Sequence, residues 1–382
     1  VGGLTRSITV DGWVFDYAGH FLHLSKTAHP SQLGAGGHAW KSIRRKAGCW
    51  AAGCIVDAPF QYHVRDLPEP LRSECLDGLR AALDAGSDFH PEPGERLPDF
   101  FRRTFGEGIT RHFLLPYNEK LLARTLADFP AEKLNRFFPF PDPALLRRSL
   151  AADTDFPTYN ASFWYPERGG IEQLVRQLDF PDFIHAPAES LDISKHIVVA
   201  NGNEIPWDAL ISTIPLPDLL RAGFGQTAAE GLSASGVALL QLGVSGPPAE
   251  VLRDWHWLYV ADPAFPFFRL GVYSNISANL APRGCHSLYV ETGFSASSPP
   301  AWETLMPRIL HALRMGLQDR EVAALLKISS ETIRKHFTRL MRRTGLCRFR
   351  ALALLDEWQP LSVIPHRTER NHTPPWQFPL FE

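Results

Sequence analysis

The chain has 382 residues, enough for two or three domains, and its 45% hydrophobic, 21% charged and 11% aromatic residues are those of a globular protein. No run of about 18 apolar residues occurs and no basic-then-apolar leader pattern opens the chain, so the sequence predicts neither a membrane-spanning helix nor a secretory signal. The net charge of −2 hides an asymmetry: residues 301–350 carry 11 Lys and Arg against 4 Asp and Glu, whereas residues 1–300 carry 26 against 33, which points to a separate basic module with an anionic partner.

In chain order, "SITVDGWVFDY" alternates around Asp11-Gly12 and predicts a hairpin. In "PEPLRSECLDGLRAALDAG", Leu71, Cys75, Leu79 and Leu83 fall at helical spacing. The stretch "LPDFFRRTFGEGITRHFLLPYNEKLLARTL" reads as short helices broken at Gly106, Gly108 and Pro116. "KHIVVANGNEIPWDALISTIP" predicts a hairpin at Asn201-Gly202 and then a buried strand over 209–213. "SGVALLQLGVS", "HWLYVAD", "FFRLGVYSNIS" and "HSLYVETGFS" read as strands of one sizeable sheet. "SASSPP" then reads as a linker, after which residues 302–356 show helical patterning only, and a Pro-rich tail fills 357–382. The five cysteines (49, 54, 75, 285 and 347) form no C-x-x-C pair, so structural zinc is not expected, and reduced thiols of a cytoplasmic protein are. No G-x-S-x-G or H-E-x-x-H motif occurs, and the scattered histidines propose no metal site.

At the start, Gly2 and Gly3 let backbone approach a ligand closely, Arg6 can pair with a phosphate, and Ser7 can donate to one; Asp16 and His20 lie at the far end of the strand. Alone, this string is an ordinary loop. Six further stretches agree with it: "FDYAGHFLHLS", "APFQYHVRDLP", "RTFGEGITRHFLLPYNEKLL", "YPERGGIEQLVRQL", "WDALISTIPLPDLL" and "SLYVE". Together they make residues 1–298 resemble the FAD-dependent amine oxidase superfamily, most closely its UDP-galactopyranose mutase and protoporphyrinogen oxidase-like branch. The resemblance implies an α/β (α+β) two-domain flavoprotein-like fold lacking its first βαβ unit, since no G-x-G-x-x-G turn is present. It implies FAD as cofactor, with Gly2, Gly3, Leu4, Arg6, Ser7, Gly19, His20, Gly169 and Gly170 along it. It assigns Tyr117, Asn118, Lys120, Tyr165 and Arg168 to the substrate side, with a nucleotide sugar or another small molecule as substrate. The chemistry would belong to the flavin, and no catalytic triad is expected.

In "QDREVAALLKISSETIRKHFTRLMRRTG", apolar positions fit two helices joined by a tight turn, the second with a basic face. The segment resembles a LuxR-type helix-turn-helix, an all-α module over 302–356. That resemblance places Arg334, Lys335 and Thr338 at bases and Ser329, Thr332, Arg342 and Arg343 at phosphates, with Arg339 on the same exposed face; it implies DNA as partner and a homodimer. "AWETLMPRILHALRMGL" also resembles the helix that follows "SLYVE" in the flavoproteins, which would put the junction near 313–318. Two functions follow: a FAD-dependent oxidoreductase or nucleotide-sugar mutase-like protein with a DNA-binding module, or a LuxR-type regulator whose flavoprotein-like part is a non-catalytic sensor. A chain with neither activity is the third.

Overall fold

The computed structural model describes residues 2–309, apart from 25–27, 34–38, 52, 87–88, 134–141, 152–155, 157–160, 177, 179–183, 302–303 and 306. The helix-turn-helix reading, with all its assigned DNA contacts, and the tail lie outside the described residues.

The first hairpin pairs β1 (Ser7–Val10) with β2 (Trp13–Asp16). Asp11 and Gly12 both have positive φ, 48° and 87°, the conformation that a two-residue hairpin turn needs. A second antiparallel pair joins β3 (Trp40–Arg44) to β6 (Ser162–Pro166). A three-stranded meander holds β7 (Ser190–Asp192), β8 (Ile197–Ala200) and β9 (Asn203–Pro206), turning at Asn201-Gly202 as the sequence predicts.

The main sheet has six strands: β4 (Ala47–Ala51), β5 (Cys54–Asp57), β10 (Ser235–Ser245), β11 (Trp257–Val260), β12 (Arg269–Val272) and β13 (Cys285–Ser295). Their order is β10-β13-β12-β11-β4-β5, and only the β11–β4 contact is parallel. Because side chains alternate across a sheet, each strand serves two environments. Leu240, Leu242, Leu258, Leu270, Val272, Leu288 and Val290 build an apolar cluster on one face. Trp257, Tyr259, Arg269, Gly271, Tyr289 and Glu291 hold the alternate positions and face the larger core.

That core is closed by α1 (Leu71–Asp84) and α2 (Leu97–Ile109). Leu71, Cys75, Leu79 and Leu83 are buried, as their spacing predicts. Of the three breaks expected at Gly106, Gly108 and Pro116, the structure bears out the first and corrects the other two. Only Gly106 kinks the run, at φ 79°; there α1 crosses so closely that a Cβ would sit 2.3 Å from the Gly78 carbonyl carbon. Gly108 is helical and Pro116 breaks nothing. A π turn over Thr110–Leu114 leads directly into α3 (Leu115–Leu122), whose first turn tolerates a residue without an N–H. Three further helices are α4 (Pro143–Ser149), α5 (Gln173–Arg176) and α6 (Leu216–Phe224), and the end of "FFRLGVYSNIS" turns into α7 (Tyr273–Ile276) rather than continuing as strand.

The other correction concerns 209–213. No strand forms there, and Ile211 is 92% exposed. An apolar run becomes a buried strand only when a neighbouring strand and a covering layer receive it, and the described residues offer neither. At the far end, Leu305 and Ile309 are buried in the second-face cluster. These two positions, read from the sequence as the start of the C-terminal module, pack on the sheet.

Candidate active site

Register builds the centre of the site. Tyr259, Arg269 and Glu291 are direct cross-strand neighbours on β11, β12 and β13. Trp257, Gly271, Tyr289 and Gln241 form the adjacent row. The Tyr289 ring lies across Gly271, where a Cβ would fall 1.9 Å from a ring carbon, so the glycine makes room for an aromatic lying flat on the sheet.

Arg269 donates to Glu291 through Nε (2.5 Å) and Nη2 (2.7 Å), a two-pronged pair in which Glu291 is 1% exposed. Burial alone would lower the guanidinium's pKa; Glu291 first, with the neighbouring tyrosine oxygens, more than offsets it and holds Arg269 protonated. Glu291 also accepts from the Gly19 N–H at 3.2 Å, which ties the 17–20 loop to the sheet. Tyr289 is fully buried, and its Oη has no hydrogen-bond partner among the described residues. A Cβ on Gly19 would stand 2.5 Å from that oxygen, so the loop can pass over it only because this residue is glycine. Burial pushes the Tyr289 phenol up in pKa, so it is a proton donor at neutral pH.

Tyr117 covers the row from above. It stacks on Phe113 at 5.4 Å and meets Tyr259 and Phe268 edge-on. Burial raises its phenol well above the usual range. Lys120, one turn further, does not point into open space. Its Nζ donates to the carbonyls of Val260 (3.1 Å), Asp262 and Phe267 (3.3 Å). Asn118 donates to the Leu114 carbonyl at 2.7 Å.

A second buried carboxylate, Asp16, braces the loop from behind. It accepts from Ser7 Oγ (2.6 Å), Tyr165 Oη (2.5 Å) and the Ile171 N–H (3.0 Å). Burial raises its pKa, and these three donors pull the other way. Its backbone carbonyl takes the Tyr273 hydroxyl at 3.0 Å and the Gln241 amide. The Tyr165–Gly170 turn is thereby split: Tyr165 is inside, Arg168 is exposed. Gly170 presses on Ser7 and Asp16, where a Cβ would lie 2.1 Å from Ser7 Oγ, and Gly169 has φ 72°. Ser7 and Gly170 therefore meet at Asp16, and the Ser7 hydroxyl is committed to it.

The remaining predicted residues form an open edge. Gly2 and Gly3 have positive φ, nothing lies within 4 Å of a Cβ built on Gly3, and Leu4 is 65% exposed. Arg6 lies over the Tyr17 ring at 5.6 Å and has no carboxylate partner among the described residues. His20 bonds through Nδ1 to the Tyr17 carbonyl at 2.6 Å. This donor set fits a flavin nucleotide: an unpaired guanidinium beside open glycine backbone suits a diphosphate, and Tyr289 Oη is a leftover donor beneath Gly19. Among the described residues no group of acidic, histidine or cysteine side chains could hold a metal ion.

Sequence reasoning missed Arg269, Glu291, Tyr259 and Tyr289. The signal was present: in "FFRLGV" and "SLYVETG" a charge stands where strand alternation demands a buried residue. Two such strands of opposite sign are a buried pair waiting to be matched.

No protein-family model matches the chain. Among solved structures it is similar to a reduced UDP-galactopyranose mutase, at 28% identity over 82% of this chain and 71% of that one, with a TM-score of 0.72. It is also similar to a putative protoporphyrinogen oxidase from Exiguobacterium sp. 255-15, at 14% identity over 81% and 73% of the two chains, TM-score 0.55. A putrescine oxidase redesigned in cofactor binding follows at 15% identity over 82% and 73%, TM-score 0.52. These neighbours are FAD-dependent amine oxidase superfamily members, and the fold of the described residues is the one that FAD-binding oxidoreductases use. The sheet is mainly antiparallel, so within the mixed class read from the sequence the described part is α+β. No helix among the described residues is long and apolar enough to cross a membrane.

Proposed function

We propose that the chain is a FAD-dependent oxidoreductase or mutase-like protein that works on a nucleotide sugar, with its reactive face on the Tyr259–Arg269–Glu291 row. The observation that carries this reading is the Arg269–Glu291 pair, its carboxylate fully buried, beside a tyrosine hydroxyl with no partner among the described residues, in a chain 28% identical to a UDP-galactopyranose mutase. When bound, the flavin supplies the redox chemistry. The protein would hold it with Gly2, Gly3 and Arg6 at the diphosphate and the Gly19–His20 loop at the ring. Arg269 offers a permanent positive charge, and Tyr117 and Tyr289 offer protons in neutral hydroxyls. Tyr117, Phe113, Phe268 and Tyr259 exclude water from that charge, which strengthens its pull on an anionic substrate. The test is reconstitution: purified chain is mixed with FAD, desalted, read for flavin absorbance, then reduced and offered UDP-galactopyranose. Retained flavin and turnover are expected; colourless protein overturns the reading.

We also propose that the basic C-terminal segment binds DNA as a dimer. Its charge imbalance and its likeness to a LuxR-type helix-turn-helix support this, with Arg334 and Lys335 at the bases. Binding to random duplex should weaken steeply with salt. Unchanged binding by Arg334→Ala with Lys335→Ala would sink that placement.

A further inference from the structure

Lys120 is a charged group that the proposed chemistry leaves unused. It is one of the substrate-side residues of the "PYNEK" stretch, yet its ammonium is spent on backbone. Of the three carbonyls it gathers, that of Val260 ends β11 and those of Asp262 and Phe267 belong to the connection between β11 and β12. That connection begins two residues after Tyr259 and ends one residue before Arg269. Phe268, between clamp and guanidinium, donates its N–H to the Glu291 carbonyl at 3.0 Å and meets the Tyr117 ring edge-on. The clamp also has a fixed seat: β13 packs so tightly on the Lys120 carbonyl that a Cβ on Gly293 would lie 2.2 Å away.

We propose that Lys120 is a positioning residue: its ammonium ties α3 to the β11–β12 connection and thereby sets where Arg269 stands. An ammonium has three N–H donors and here meets three carbonyls, so donor and acceptor numbers match. A neutral amine has two donors and a lone pair, which repels the third carbonyl and releases it. The arrangement is therefore complete only while Lys120 is charged. Burial depresses its pKa to about 8, against a partly compensating attraction from Asp262. The other charged groups on the packed elements are engaged elsewhere: Glu291 on β13 holds Arg269, and Glu119 on the same helix accepts from the Leu126 N–H. Arg269 should thus shift position within the ordinary working range of pH.

This inference rests on the reading of the Arg269 face as the reactive one, but its experiment needs neither flavin nor substrate. The probe is the side-chain Nε–H resonance of Arg269 in 15N spectra of the full chain, identified by its loss in Arg269→Lys. In the wild-type protein the resonance should move with a midpoint near pH 8. In Lys120→Met it should be displaced and lose that midpoint. Lys120→Arg keeps a charge to above about pH 12, so its Arg269 resonance should show no midpoint either. A wild-type resonance that stays still from about pH 6.5 to 9.5, or one that titrates equally in both variants, overturns the proposal. If Lys120→Met does not fold, the wild-type and Lys120→Arg titrations decide alone. A colourless protein whose Arg269 resonance titrates as expected would refute the flavin reading and leave the clamp standing.

Discussion

The two faces of the six-stranded sheet are chemically opposite, and each buries residues completely. On one, Leu258 and Val272 are 1% exposed, Val290 is fully buried, and all three belong to an apolar cluster; on the other, Glu291 is also 1% exposed and carries a charge. The same strands supply both, residue by residue. The apolar face explains why the sheet folds. The other face also buries Trp257 and Tyr289 in the larger core, but the charge it carries among them is costly to desolvate, which is the mark of a surface kept for recognition.

The sharpest way to break the comparison is to strip the charged face of one partner. Glu291→Ala leaves the half-buried Arg269 cation unpaired, and should cost about 3 kcal/mol in a denaturant melt. If it costs less than Leu258→Ala, expected at about 2–5 kcal/mol on the apolar face, water already reaches the charged face and the contrast fails. Tyr289→Phe should act in the opposite direction. It removes a buried hydroxyl with no partner, so the flavin-free protein should gain about 1 kcal/mol while its FAD affinity, read by flavin titration, falls. Unchanged affinity would take Tyr289 out of the site.

Acid titration gives a smaller effect. Asp16 has a folded-state pKa above its ordinary 3.8. A raised carboxyl pKa means that the folded state holds the proton longer, so this group's contribution is full below pH 3.8 and is lost as pH rises through the folded value. Asp16→Asn should remove that fall, measured as the wild-type-minus-variant stability across the acid range. The smallest effect is expected at Ile211→Ser, within about 0.5 kcal/mol, since its side chain is already in water.

Much of the fold was legible because period and turn chemistry are local. The 235–245 strand, the Asp11-Gly12 and Asn201-Gly202 hairpins and the buried stripe of α1 all follow from neighbours in sequence. The site was legible only in part. Of the residues that the resemblance assigned to the substrate side, Tyr117 meets the Tyr259 ring of the Arg269–Glu291 row and Tyr165 bonds Asp16. Arg269 and Glu291 are 22 residues apart and meet only through the β12–β13 register, which no local pattern states. The error at 209–213 has the same origin: apolarity names a buried strand, but burial is a property of what lies alongside.

Because the two faces share their strands at alternate positions, the site is written in parity rather than in composition. A single-residue insertion or deletion within β13 would keep nearly every amino acid and still exchange the faces, sending Leu288 and Val290 beneath Tyr117 and driving Glu291 into the apolar cluster. Lineages carrying this sheet should therefore drift freely by substitution on the apolar face, yet accept changes of length only in the connections between its strands.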